Sequence, residues 1–136
     1  MKLFIENIGL IQKAEINLNG LTVITGKNDT GKSTIGKILF CMIKAINQVK
    51  KEKSSPSVLN ISEQEILTNC INHFINLVFE SHITQQGNVR LIEDISKSDL
   101  HIFFKDSSCL ELKAEDFANQ LFFKDVTLLQ TPVIWD

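Results

Sequence analysis

The segment Gly26-Lys27-Asn28-Asp29-Thr30-Gly31-Lys32-Ser33 carries the most specific chemistry in this sequence. It fits the pattern of glycine, any four residues, glycine, lysine, then serine or threonine. Such a loop suits a compact polyanion. Its glycines permit backbone angles and close approaches that a Cβ would obstruct. Successive N–H groups then turn inward as an anion-binding nest. A helix that begins at the lysine adds unpaired N–H groups and the positive end of its dipole. In this pattern Lys32 reaches the β- and γ-phosphates and the Ser33 hydroxyl ligates Mg²⁺. Thr34, one residue on, is placed to donate to an α-phosphate. The ligand that fits is a nucleoside triphosphate with its Mg²⁺. The candidate binding residues are Gly26, Lys27, Asn28, Asp29, Thr30, Gly31, Lys32, Ser33 and Thr34, with Ser33 also the metal ligand.

Elements of the right type flank the loop. Residues 21–25 form an almost continuous apolar run, which predicts a strand buried on both faces of a parallel sheet. After the loop, Ile35, Ile38, Leu39, Met42, Ile46 and Val49 recur at helical spacing, with Lys37, Lys44 and Lys50 off that stripe. Upstream, residues 2–8 and 13–18 read as short strands, and Asn19-Gly20 is a turn signal. Residues 51–60 read as a surface loop, and Lys50, Lys51 and Lys53 as a solvated helix end. Ser62-Glu63-Gln64-Glu65 is a capping box opening a second helix. Its apolar stripe is Ile66, Leu67, Cys70, Ile71, Phe74, Ile75 and Val78, with His73 beside it in a structural or exposed role. From residue 88 the period becomes two. Strands are predicted over 89–94, 100–105 and 110–113, with a hairpin turn at Lys105-Asp106-Ser107-Ser108. A short helix is predicted over 114–121 and a last strand over 126–130.

The stretch Phe4-Ile5-Glu6-Asn7-Ile8-Gly9, a second strand, Leu21-Thr22-Val23-Ile24-Thr25-Gly26-Lys27-Asn28 and Thr30-Gly31-Lys32-Ser33-Thr34 resembles the start of ABC-type ATPases of the RecF and structural-maintenance-of-chromosomes kind. It is most similar to the bacterial AAA family ATPases that include the overcoming-lysogenization-defect and phage-defence proteins. Asn28 matches that family's asparagine. Asp29 stands where a glycine is common, and Thr30 where a serine is usual. The resemblance is strong over about residues 1–45 and beyond them rests on element order.

The resemblance implies an α/β fold: a P-loop NTPase, here an incomplete ABC-type ATPase head with a parallel core and antiparallel β parts. It implies ATP and Mg²⁺ as cofactors, and roles in DNA repair, chromosome maintenance or phage defence. It also implies a homodimer, or a C-terminal lobe or partner chain that completes the site. DNA contact rests on resemblance alone. By the same token, the turn near Asn7 to Ile11 lies against the adenine, with Ile11 offered to the ring or else packed in the core. Gln130 falls where a γ-phosphate-sensing glutamine is expected. No signature motif of the Leu-Ser-Gly-Gly type is found. Pro132-Val133-Ile134-Trp135-Asp136 is a poor match to a Walker B strand. ATP hydrolysis by this chain alone is therefore not expected.

The 136 residues suffice for one domain. Its parts are read as 1–50 (strands, P-loop, first helix), 51–60 (loop) and 61–136 (helix and antiparallel strands). A net charge of −2 speaks against a large basic surface. Cys41, Cys70 and Cys109 lack metal-ligand spacing and read as reduced, buried thiols. The N-terminal apolar run is broken by Glu6 and Asn7 and lacks a small-residue cleavage site, so no signal peptide is expected. No run is long enough to span a membrane, and the expected location is the cytoplasm. A small P-loop kinase would need a lid arginine over the transferred phosphate, and Arg90 is the chain's only arginine. A guanine-reading Asn-Lys-x-Asp sequence is missing. A non-catalytic interaction module with a relic P-loop stays open as the alternative.

Overall fold

The computed structural model describes residues 1–27, 29–53, 63–80, 82–94 and 98–115. Five strands form one sheet in the order β2-β1-β3-β4-β5: β1 Lys2–Ile8, β2 Ile11–Asn17, β3 Gln86–Glu93, β4 Ser98–Lys105 and β5 Ser108–Glu115. All four pairings are antiparallel. Two helices, α1 Lys32–Lys53 and α2 Glu63–Val78, cover one face.

Alternation along the strands decides which face is covered. Leu3, Ile5 and Ile8 of β1, Val89 and Leu91 of β3, and Leu100, Ile102 and Phe104 of β4 are buried. They meet Ile38, Met42, Ile46 and Val49 of α1 and Leu67, Ile71 and Ile75 of α2 in one core. Both predicted helical stripes therefore face inward, with Ile35, Leu39, Cys70, Phe74 and Val78 at the core's margin. The lysines off the α1 stripe keep their charges outward along aromatic faces: Lys37 lies 5.6 Å from the Phe79 ring centroid and Lys44 5.8 Å from that of Phe40. His73 is exposed and sits edge-on to Phe74. Cys41 and Cys109 are buried and Cys70 is partly so; all three are free thiols. Burial pushes the Cys41 thiol up to about 12 and Cys70 to about 11, so neither is a nucleophile near neutrality.

Two tight hairpins set the registers. Ile8 pairs with Ile11 around Gly9-Leu10, with Gly9 at φ 55, as a turn with glycine at its first central position requires. Lys105 pairs with Ser108 around Asp106 (φ 49) and Ser107 (φ 62), the predicted turn in its left-handed form. A register shift opposite Phe103 and Phe104 leaves Leu110 as the extra, exposed residue of β5.

Four expectations are corrected. Residues 21–25 are not a strand. Leu21 is 92% and Val23 71% exposed, and no backbone hydrogen bond joins the segment to other described residues. A strand buried on both faces needs a place inside a sheet covered on both sides, and no strand of the sheet β2-β1-β3-β4-β5 pairs with this segment. For the same reason no parallel pairing occurs among the described residues. Residues 51–53 of the predicted 51–60 loop are helical, because α1 runs on through Lys53; residues 54–60 lie outside the described residues. Ala114 belongs to β5 and not to a helix, since it continues the ladder opposite Leu100. The rest of the predicted 114–121 helix beyond Glu115, the 126–130 strand, Ser62 of the capping box and Pro132 to Asp136 lie outside the described residues.

The face opposite the two helices holds a polar network. Arg90 grips Asp99 with three bonds, Nε to Oδ1 at 2.9 Å and to Oδ2 at 3.2 Å, and Nη2 to Oδ2 at 2.5 Å. The guanidinium holds the Asp99 carboxyl below its ordinary range, and partial burial, with Arg90 nearby, lowers His101. Both groups release protons more readily folded than unfolded. Each therefore stabilises the fold above its unfolded value and loses that contribution as pH falls through its folded one. Stability is expected to decline on acidification in two stages, below pH 6.5 for His101 and below pH 3.8 for Asp99. Urea melts at stepped pH test this: His101→Gln should remove the upper stage and leave the lower.

Candidate functional site

The loop between residue 25 and α1 is assembled by its own residues and by the β1–β2 turn. Gly26 (φ 156) and Gly31 (φ 89) take backbone conformations that L side chains rarely adopt, and Asp29 (φ 58) takes a third positive angle. A Cβ on Gly31 would lie 2.6 Å from Cγ1 of Ile11, so close contact as well as conformation requires glycine there. The position usually held by glycine carries Asp29, a residue type that tolerates the left-handed region. The loop's curvature therefore survives the replacement.

Lys32 opens α1, and no acidic residue occupies the helix's first turn. The helix start is left with donors and no internal counter-charge, a favourable setting for an anion. Lys32 Nζ folds back over the loop. It donates to Gly26 O at 2.7 Å and to Lys27 O, with Thr30 Oγ1 at 3.4 Å. Thr30 Oγ1 itself donates to Lys27 O at 2.8 Å. The ammonium thus sits in the concavity of the loop, held by neutral carbonyls. A phosphate oxygen is a stronger partner for it than a carbonyl, because charge-assisted bonds are roughly twice as strong as neutral ones. Ser33 is exposed at the same end of the helix. Among the described residues no group of three or more histidine, cysteine, aspartate or glutamate side chains is placed to hold a metal.

The β1–β2 turn lies beside the loop. A Cβ built on Gly9 would stand 3.6 Å from the Thr34 side chain, so the turn passes close to the first turn of α1. Ile11 is 7% exposed and packs under Gly31, which places it in the core and not at a base. Leu10, at the tip of the turn, is 66% exposed. Sequence reading passed over Leu10; the signal was the Gly9-Leu10 pair, a two-residue hairpin between apolar strands.

The predicted residues Gly26, Lys27, Asp29, Thr30, Gly31, Lys32, Ser33 and Thr34 therefore come together at one helix start. Asn28 and Gln130 lie outside the described residues.

The model of the AAA ATPase domain matches residues 1–132. The chain belongs to the AAA ATPase domain family. Nucleotide binding in general comes with membership of this ATPase family. Among curated proteins and among solved structures no match to the chain was found. No helix of the described residues is long and apolar enough to cross a membrane. The mixed α/β architecture and the helix start at Lys32 agree with an AAA ATPase domain.

Proposed function

We propose that the chain binds Mg-ATP at its P-loop, with Gly26, Lys27, Asn28, Asp29, Thr30, Gly31, Lys32, Ser33 and Thr34 around the phosphates. The observation that carries this reading is the Lys32 ammonium, held in the concavity of a loop with three positive φ angles at a helix start with no acidic residue in its first turn. When ATP binds, Lys32 exchanges its loop carbonyls for phosphate oxygens, and the helix N-terminus adds its N–H donors. The exposed Ser33 hydroxyl suits Mg²⁺, which keeps several waters and takes few protein ligands beside phosphate oxygens. The metal would neutralise the phosphates and fix their orientation.

In this reading Leu10, not Ile11, packs on the nucleobase. Its support is position: an exposed apolar side chain on the turn that passes close to Thr34. Leu10→Ser is expected to lower ATP affinity about tenfold while leaving affinity for inorganic triphosphate unchanged, because the change is neutral and only the base loses its apolar contact. Equal losses for both ligands would show that Leu10 does not touch the base.

The reading extends to an ABC-type head in which residues 21–25 enter a parallel sheet supplied by a second lobe or partner chain, in DNA repair, chromosome maintenance or phage defence. Its support is the exposure of Leu21 and Val23 on an apolar run with no backbone hydrogen bond to other described residues. Titration of the chain with a fluorescent ATP analogue in Mg²⁺, with unlabelled ATP and GTP as competitors, tests the central reading. Saturable binding displaced by ATP supports it, and no binding at millimolar nucleotide rejects it.

A further inference from the structure

We propose that Ser107, at the tip of the β4–β5 hairpin, is a positioning residue for the nucleotide site. The proposal rests on the P-loop reading above and adds a residue far from the loop in sequence.

The connection runs through the linker between α2 and β3. Ser107 Oγ accepts from Ile83 N at 2.7 Å and from Thr84 N at 3.2 Å. The Ser107 N–H donates to Thr84 O at 2.9 Å, and the hydroxyl reaches the same oxygen at 3.3 Å. Next to it, Asp106 N donates to Gln85 O at 2.9 Å. The linker is thus stapled to the hairpin tip, and Ile83 and Thr84 are buried. From there one bond crosses to the nucleotide side: Gly9 N donates to Ile83 O at 2.6 Å. Gly9 is the turn residue on which a Cβ would reach the Thr34 side chain at 3.6 Å, and Ile11, two residues on, lies under Gly31. A shift of the linker therefore reaches both close approaches of the β1–β2 turn to the P-loop.

The turn itself does not need a hydroxyl. Its two central residues need only tolerate positive φ, which glycine, asparagine and aspartate do best. Serine at φ 62 supplies something else, an acceptor for two buried N–H groups. Without it these donors lose their partner, at a cost greater than that of an ordinary exposed bond.

The test uses the whole chain in three forms: native, Ser107→Gly (which keeps the turn and removes the acceptor) and Ser107→Asn (which restores an acceptor on a residue at ease at positive φ). Two quantities are read: hydrogen exchange of the Gly9 amide without nucleotide, and affinity for the fluorescent ATP analogue with Mg²⁺. Ser107→Gly should speed Gly9 exchange about tenfold and raise the Kd roughly three- to tenfold, while exchange within β4 stays at native rates. Ser107→Asn should recover most of both. Native Gly9 exchange and native Kd in Ser107→Gly would overturn the proposal, as would faster Gly9 exchange with no change in Kd. If Ser107→Gly does not fold, Ser107→Ala, which also lacks the acceptor, decides: faster Gly9 exchange together with a raised Kd supports the relay, and movement of one readout alone, or of neither, overturns it. A native chain that binds no nucleotide would overturn the P-loop reading and this assignment with it. The exchange comparison would still report whether Ser107 holds Gly9.

Discussion

Replacing Lys32 by alanine is expected to weaken Mg-ATP binding by roughly ten- to a hundredfold, with almost no effect on the stability of the nucleotide-free chain. The asymmetry follows from what the ammonium touches in each state. Without nucleotide it bonds to Gly26 O and Lys27 O on an exposed loop. Water replaces such partners readily, so the loss should be within about 0.5 kcal/mol. With nucleotide it meets phosphate oxygens, and hydrogen bonds to charged groups contribute about 1.5–3 kcal/mol each. At about 1.4 kcal/mol per tenfold, that range gives the expected loss. Lys32→Arg tests geometry as well as charge. A planar guanidinium does not fold into a concavity shaped for a point charge, so it should restore little. The measurements are thermal melts without ligand and nucleotide titration of the three proteins. Equal affinity for the native chain and Lys32→Ala would show that the loop is a scaffold and not a binding site.

The second large effect is structural. Gly87→Ala should destabilise the chain by about 3 kcal/mol, a substantial part of the roughly 5–15 kcal/mol that holds a domain of this kind folded. A Cβ at residue 87 would press on Asn7 O and lie 2.7 Å from Glu6 O and 2.9 Å from Cδ1 of Ile8. Two of these atoms are backbone at the end of β1, which pairs with β3 up to Glu6 opposite Asn88. A side chain can rotate away from an intruding methyl, but a paired strand cannot. The end of β1 must therefore lift, and Gly9 with it. A fall of roughly 10 °C in Tm is expected, accompanied by weaker nucleotide binding. Gly36→Ala is the internal control. Nothing lies within 4 Å of a Cβ there, and a helical glycine replaced by alanine should gain about 0.5–1 kcal/mol. A native Tm for Gly87→Ala would contradict the close approach of β1 and β3.

The parts of this architecture that were legible in the sequence are those fixed by local chemistry. The glycines and Lys32 announced a helix start. The stripes of α1 and α2 followed from helical spacing, and Asp106-Ser107 declared its turn because few residues accept positive φ. Residues 21–25 show the boundary of such reasoning. Their apolar run predicted a strand buried on both faces, yet burial is a property of neighbours, and the neighbours it would need are not among the described antiparallel strands. Gly87 offered a signal, since glycine within a strand pattern marks a bulge or a close backbone approach, but the strand was begun two residues too late to include it. Ile11 was a candidate for the base because it is apolar and near the loop; its contact with Gly31 is a tertiary fact. Nothing local ties Ser107 to Ile83 or Ile83 to Gly9.

Amide chemical shifts of the isotopically labelled chain, followed while Mg-ATP is added, test the central claim most directly. The account predicts the largest changes at Gly26, Gly31, Lys32 and Ser33, with Gly9 following through its closeness to Thr34. Changes confined to other surfaces, or none at these residues at saturating nucleotide, would contradict it.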